Sequence, residues 1–175
     1  MKKAYVLIVN ESGKEDFIIS NLKNIPSVTN AFGAFGTFDV ITKLESKDEQ
    51  NIRHDISYGI RKIQNIRTTL TLLVEKSEIT MTNKLEQDVS DSNMAHAFIM
   101  IHCLKSQEES VLRQLNDISE IVEIDMLVGR CEIICKIAAP TYNHISEIIS
   151  KKIRKICEIK STSTINLIDN QGFNR

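Results

Sequence analysis

The chain has no excess of charge, no long apolar run and no cysteine in its first half, and each absence closes off a class of function. Its 22 Lys and Arg against 23 Asp and Glu leave a formal charge of −1, so no global field draws it to a phosphate backbone. Nucleic-acid binding would need a local patch. The basic tracts Arg61-Lys62 and Lys151-Lys152-Ile153-Arg154-Lys155 fall instead in the last turns of predicted helices, where cations complement the dipole, and no aromatics interleave them. No apolar stretch has the length of a membrane span, and Met1-Lys2-Lys3-Ala4 passes into strand-like sequence without a signal-peptide pattern. Cys103, Cys131, Cys135 and Cys157 all lie in the second half, which agrees with a reducing compartment. On one strand Cys131 and Cys135 would stand about 13 Å apart, too far for a disulfide, so inert buried thiols are expected. No spacing of His, Cys, Asp and Glu forms a recognisable metal site. The expectation is a cytoplasmic protein without metal or cofactor, with no direct nucleic-acid or membrane partner.

What is present is a unit written twice. A shift of 93 positions lays Ala97 on Ala4 and holds without a gap to Ile165 on Leu72. On the way Ile101 falls on Ile8, Glu108 on Glu15, Leu115 on Leu22, Gly129 on Gly36 and Thr164 on Thr71. An insertion inside either copy would turn apolar faces outward, so a gapless match implies one supersecondary unit used twice. The expected organisation is a first domain at 1–75, a polar linker at 76–93, a second domain at 94–169 and a tail at 170–175. Two copies are too few for a solenoid, and a pseudo-twofold pair of small domains follows.

Tyr5–Val9 and Ala97–Ile101 are short apolar runs bounded by polar residues and read as strands. Ser12 with Glu15, Ser106 with Glu109 and Ser46 with Glu49 have capping-box spacing and predict helix starts. Hairpins turn at Gly36 and Gly129. Ile52, Ile56, Ile60 and Ile63, repeated as Ile145, Ile149, Ile153 and Ile156, make the apolar stripe of a second helix. Each copy thus reads βαββαβ, an α+β ferredoxin-like plait with a four-stranded antiparallel sheet. The strands are apolar on both faces, and an open sheet would expose enough apolar area to drive association. The two sheets are therefore expected to pair face to face as a dimeric α+β barrel.

Three tracts carry a family resemblance: Ile25-Pro26-Ser27-Val28, Gly36-Thr37-Phe38-Asp39, and Ile63-Gln64-Asn65-Ile66-Arg67-Thr68-Thr69-Leu70-Thr71. They resemble the effector-binding (RAM) domain of the Lrp/AsnC regulators, over all of the first copy and more loosely the second. The resemblance implies a domain that oligomerises and senses a small effector, typically an amino acid, near the Gly-x-(Phe/Tyr)-Asp turn. The turn's chemistry agrees: Gly36 permits close backbone approach to a carboxylate, and Asp39 offers a counter-charge to an ammonium group. Candidate ligand-binding residues are Gly36, Thr37, Phe38, Asp39, Thr69 and Thr71, and in the second copy Gly129, Arg130 and Glu132.

The family's helix-turn-helix has no counterpart before the first strand, so direct operator binding is not expected. The expected function is a standalone sensing and homo-oligomerising module, non-enzymatic, acting on transcription indirectly. One alternative is an adaptor that co-assembles with full-length DNA-binding regulators. Another is a small α+β barrel enzyme, for which a buried acid or histidine on the sheet face is required. Asp125, Glu132 and His102 are its candidates, read as exposed polar positions.

Overall fold

Alternation decides the first strand. In β1 (Lys2–Asn10) Ala4, Val6 and Ile8 point to one side and Tyr5 and Leu7 to the other, and all five are at most 1% exposed. The chain continues through α1 (Glu15–Leu22), β2 (Val28–Phe35), β3 (Val40–Ser46), α2 (Glu49–His54) and β4 (Ile66–Glu78). The computed structural model describes residues 1–78, 93–129 and 133–175. These fall into two units, Met1–Val74 with Asn170–Arg175, and Glu75–Asp169.

In the first unit the strands lie in the order β4-β1-β3-β2, all antiparallel, with Ile8 opposite both Val40 and Thr69. Val6, Ile8, Val40 and Leu44 pack with Ile18, Leu22, Ile52, Ile56 and Ile60 into the helix-side core. Tyr5, Leu7 and Ile41, on the opposite face, are equally buried, each side chain stabilising the fold by about 2 kcal/mol. Beyond His54 the second helix widens into a π turn over Asp55–Gly59 and tightens into a 3-10 turn over Ile60–Lys62. Asn170–Arg175 add to this unit. Arg175 N donates to Thr29 O at 2.8 Å and its Nη1 to Val28 O at 3.1 Å, while Lys23 and Arg175 both lie over the Phe173 ring. Gly172 has φ +155, and a Cβ there would stand 2.4 Å from Ala31 O, so only glycine lets this segment lie against β2.

The second unit repeats the order: β5 (Ala95–Cys103), a 3-10 turn, α3 (Glu108–Asn116), β6 (Ile121–Val128), β7 (Ile133–Ala139), α4 (Tyr142–Lys151), a 3-10 turn and β8 (Ile159–Asn174). Its sheet runs β8-β5-β7-β6, again antiparallel. Both units are thus α+β with the ferredoxin-like pairing. Ala97, Ile99, Ile101, Ile133 and Ile137 face the helices, whose Ile145, Ile149, Ile153 and Ile156 complete the core.

The helix starts differ from the expected capping boxes. Asp48, not Ser46, caps α2, its Oδ1 accepting from Gln50 N at 2.9 Å, and Thr141 caps α4 by accepting from His144 N at 3.2 Å. The starts of α1 and α3 have no side-chain cap. Aspartate two residues downstream of a serine competes for the same amides, and spacing alone does not rank them. β4 continues through Lys76 and Ser77 to Glu78, and residues 79–92 of the expected linker lie outside the described residues, as does Cys131. Cys103, Cys135 and Cys157 form no disulfide among the described residues. Among the described residues no helix is long and apolar enough to cross a membrane.

Candidate functional site

The hairpin of the first unit turns at Gly36, whose φ of +119 is a left-handed conformation that disfavours any side chain. Asp39 closes the turn: its N–H donates to Ile8 O and its carbonyl accepts from Ala34 N, both at 2.8 Å. Its carboxylate is also engaged, Oδ2 accepting from Asn10 N at 2.8 Å. Asn10 stands at a bulge in the β1–β4 pairing and is 4% exposed. Its Nδ2 donates to Glu11 O at 2.8 Å and Glu15 Oε1 at 3.1 Å. Both partners only accept, which fixes the amide orientation, and Oδ1 is left buried with no partner. A buried acceptor without a donor costs about 1–3 kcal/mol. With Asp39 and Glu15 beside it, the site attracts a cationic donor.

Thr37 is exposed and Phe38 half-buried on the turn itself. Thr69 and Thr71 pair with Ile8 and Val6, on the far side of β1 from β3, about 10 Å from the turn's strand. The structure therefore gathers Gly36, Thr37, Phe38 and Asp39 but not the two threonines, although Thr71 Oγ1 is itself buried and unpartnered. In the second unit Gly129 has φ +116, close to its counterpart, while Arg130 and Glu132 lie outside the described residues. Asn10 and Glu15 escaped the sequence reading because a polar residue ending an apolar run looks like a boundary. Nothing in the spacing marks Asn10 as buried.

A second constellation lies on the helix-free face of the second unit's sheet. Asp125 is 0% exposed, opposite Ile134. Lys136 sits opposite Glu123 on one side and Phe98 on the other, which makes both Asp125 and His96 its diagonal neighbours, about 7–8 Å away. His96 Nε2 is buried and unpartnered. Burial, then the Lys136 charge, holds the imidazole below its usual range, with Asp169 and a Met94 backbone bond opposing. With no partner on Nε2, its lone pair is available as a base in the neutral imidazole. Tyr142 OH donates to Leu167 O and, at 3.2 Å, to Asp169 Oδ1. Burial and then the Asp169 charge raise its pKa. His102 is half-buried two residues along the same face from Met100. A buried acid, a cation and a neutral base thus share one face, where Asp125 was expected in solvent.

Residues 96–170 match the family model of the Lrp/AsnC ligand binding domain. The match falls on the second unit, although the motifs that carried the resemblance lie in the first. Over 99% of its length the chain resembles 72% of the siroheme decarboxylase NirDL, with TM-score 0.73 and 10% identity. Over the same 99% it resembles 96% of a candidate monooxygenase from Fusobacterium nucleatum subsp. nucleatum, with TM-score 0.55 and 8% identity. FFRP-DM1 shares 32% identity over 42% of this chain and 97% of its own, with TM-score 0.40. No curated protein matches by sequence.

The whole-chain likenesses overturn the expectation that the chain is not an enzyme. Their fold, shared across both units, is one that a decarboxylase uses. The required buried acid stands on the second unit's sheet as Asp125, and the half-buried His96 shares its face with Nε2 turned inward.

Proposed function

We propose that the chain is a small-molecule-binding protein made of two Lrp/AsnC-type units in tandem, and that it takes an amino acid at the Gly36-Thr37-Phe38-Asp39 turn. The observation that carries this reading is the orphaned Asn10 Oδ1 held next to the Asp39 and Glu15 carboxylates. An α-ammonium group supplies the missing donor and the compensating charge. The backbone at Gly36 is open, since a Cβ there would meet nothing within 4 Å, and it leaves room for the α-carboxylate. The protein works in the cytoplasm as a homo-oligomer and reaches transcription indirectly, by co-assembling with full-length Lrp/AsnC regulators.

A thermal-shift screen across the amino acids tests the site. A ligand at 100 times its dissociation constant adds about 2.7 kcal/mol of stability. Asp39→Ala and Asn10→Ala are each expected to abolish the shift. Unchanged stabilisation in Asp39→Ala would overturn the assignment.

The row His96, Lys136, Asp125 favours a second reading, an enzyme acting on a carboxylate substrate. Lys136 pairs with the carboxylate, and His96 Nε2 takes a proton from solvent and gives it to the carbon that loses carbon dioxide. Iron-uroporphyrin III, whose analogue is bound by the siroheme decarboxylase NirDL, is the first probe. A saturable visible-absorbance change followed by loss of carbon dioxide supports this reading. Neither event, in wild type at any probe concentration, removes it.

A further inference from the structure

The two units differ at one notch between the ends of their helices. In the second unit this notch holds the carboxylate of Glu158. Oε1 accepts from Ser110 Oγ at 2.9 Å and Gln114 Nε2 at 3.3 Å, and Oε2 accepts from Cys157 Sγ and Gln114 Nε2, both at 3.2 Å. The bond from Cys157, then the backbone and the Ser110 and Gln114 bonds, hold Glu158 down to about 2. The notch thus holds one of the chain's own carboxylates.

The 93-residue register places Asn21 at Gln114, Gln64 at Cys157, Phe17 at Ser110 and Asn65 at Glu158. The first unit thus keeps the amide donor and lacks the carboxylate. Asn65 takes a left-handed φ of 68, and its carbonyl accepts from Glu11 N at 2.9 Å. At the counterparts of Ser110, Gln114 and Cys157 the first unit has a groove of about 350 Å³ whose walls include Phe17, Asn21, Ile25, Lys62 and Gln64. Asn21 Nδ2 donates to Phe17 O at 2.8 Å, the back-bond that Gln114 makes to Ser110 O at 3.4 Å. As in Gln114, a second amide hydrogen remains for a ligand. Lys62 adds a cation that forms no ion pair among the described residues, and Phe17, 46% exposed, adds an apolar wall where the second unit has a serine.

We infer that this groove binds a small free carboxylate with an apolar, aromatic-sized body, which takes in the first unit the place Glu158 holds in the second. The carboxylate accepts from Asn21 and Gln64 and pairs with Lys62, and the body packs on Phe17 and Ile25. The groove shares no wall residue with the Gly36–Asp39 turn, so the two sites fail or succeed independently.

Nitrogen-15 NMR of the full chain, titrated with phenylacetate, tests the inference. The side-chain amides of Asn21 and Gln64 should shift saturably, and the neutral phenylacetamide should leave them in place. Lys62→Ala should weaken the apparent Kd by about tenfold, the effect of one charge-assisted contact, and Phe17→Ser by about tenfold through lost apolar contact. In Glu158→Ala the vacated notch should make the Gln114 amide respond to acetate, which it ignores in the wild type. Three results would overturn the proposal: no saturable shift at Asn21 and Gln64, an equal response to phenylacetamide, or a Kd untouched by Lys62→Ala. A shift confined to the Asn10 amide would also count against it, because the probe would then sit at the turn.

Discussion

Asn10 and His96 are the residues where local chemistry departs most from what their neighbours in sequence announce. Each carries a buried polar atom without a partner, near the end of a strand built mainly of packed apolar side chains. His96 also has a measurable consequence. Its folded-state pKa is lowered, first by burial and then by Lys136, so the unfolded chain takes up a proton near 6.5 that the folded chain resists. Stability is therefore fully present above 6.5 and declines as pH falls below it. His96→Asn should flatten that decline in urea titrations run across this range, whereas an unchanged pH profile would show that His96 titrates alike in both states. Sequence could name Asp39, because an acid behind a glycine turn has an evident use. It could not name Asn10, whose importance comes from the bulge that turns it inward and from Glu15 and Glu11 claiming both hydrogens of its amide.

At the scale of elements, periodicity carried most of the information. The period-two alternation of β1 and the isoleucine stripes of the second helices predict the same faces that are buried, because side-chain direction follows from backbone geometry alone. Boundaries were less legible, since they depend on which of several short polar side chains wins the first free amides. The outcome separates the candidates. Asp48→Ala and Thr141→Ala should each cost about 1 kcal/mol, while Ser12→Ala and Ser106→Ala should stay within about 0.5 kcal/mol, as read from denaturant midpoints at constant m. The π turn at Asp55–Gly59 was also invisible. It inserts no break in the apolar stripe, and Ile52, Ile56 and Ile60 remain buried through it.

At the scale of the molecule, the repeat predicted two similar units, and each has the same element order and strand pairing. It did not predict their divergence in chemistry. The first unit gathers oxygens at a turn, and the second places an acid, a lysine and a histidine on a sheet face. A 93-residue register preserves apolar positions, since packing tolerates little change, and lets exposed and half-buried positions drift. The hexapeptide from Asn170 to Arg175 is the other departure. Gly172→Ala would drive a Cβ into Ala31 O and should free the segment from β2, seen as faster hydrogen exchange at Arg175. Protection equal to wild type would mean that the segment is held some other way.

That hexapeptide makes the halves unequal as folding pieces. The later unit is continuous in sequence from Glu75 to Asp169, but the earlier one is finished only by Asn170–Arg175, residues that follow its sibling. On a ribosome the earlier unit must wait, incomplete, until translation has passed the whole of its sibling. Cutting the gene at the repeat boundary would accordingly leave the earlier unit without its last six residues, and it should regain its full protection only when they are added back as a peptide.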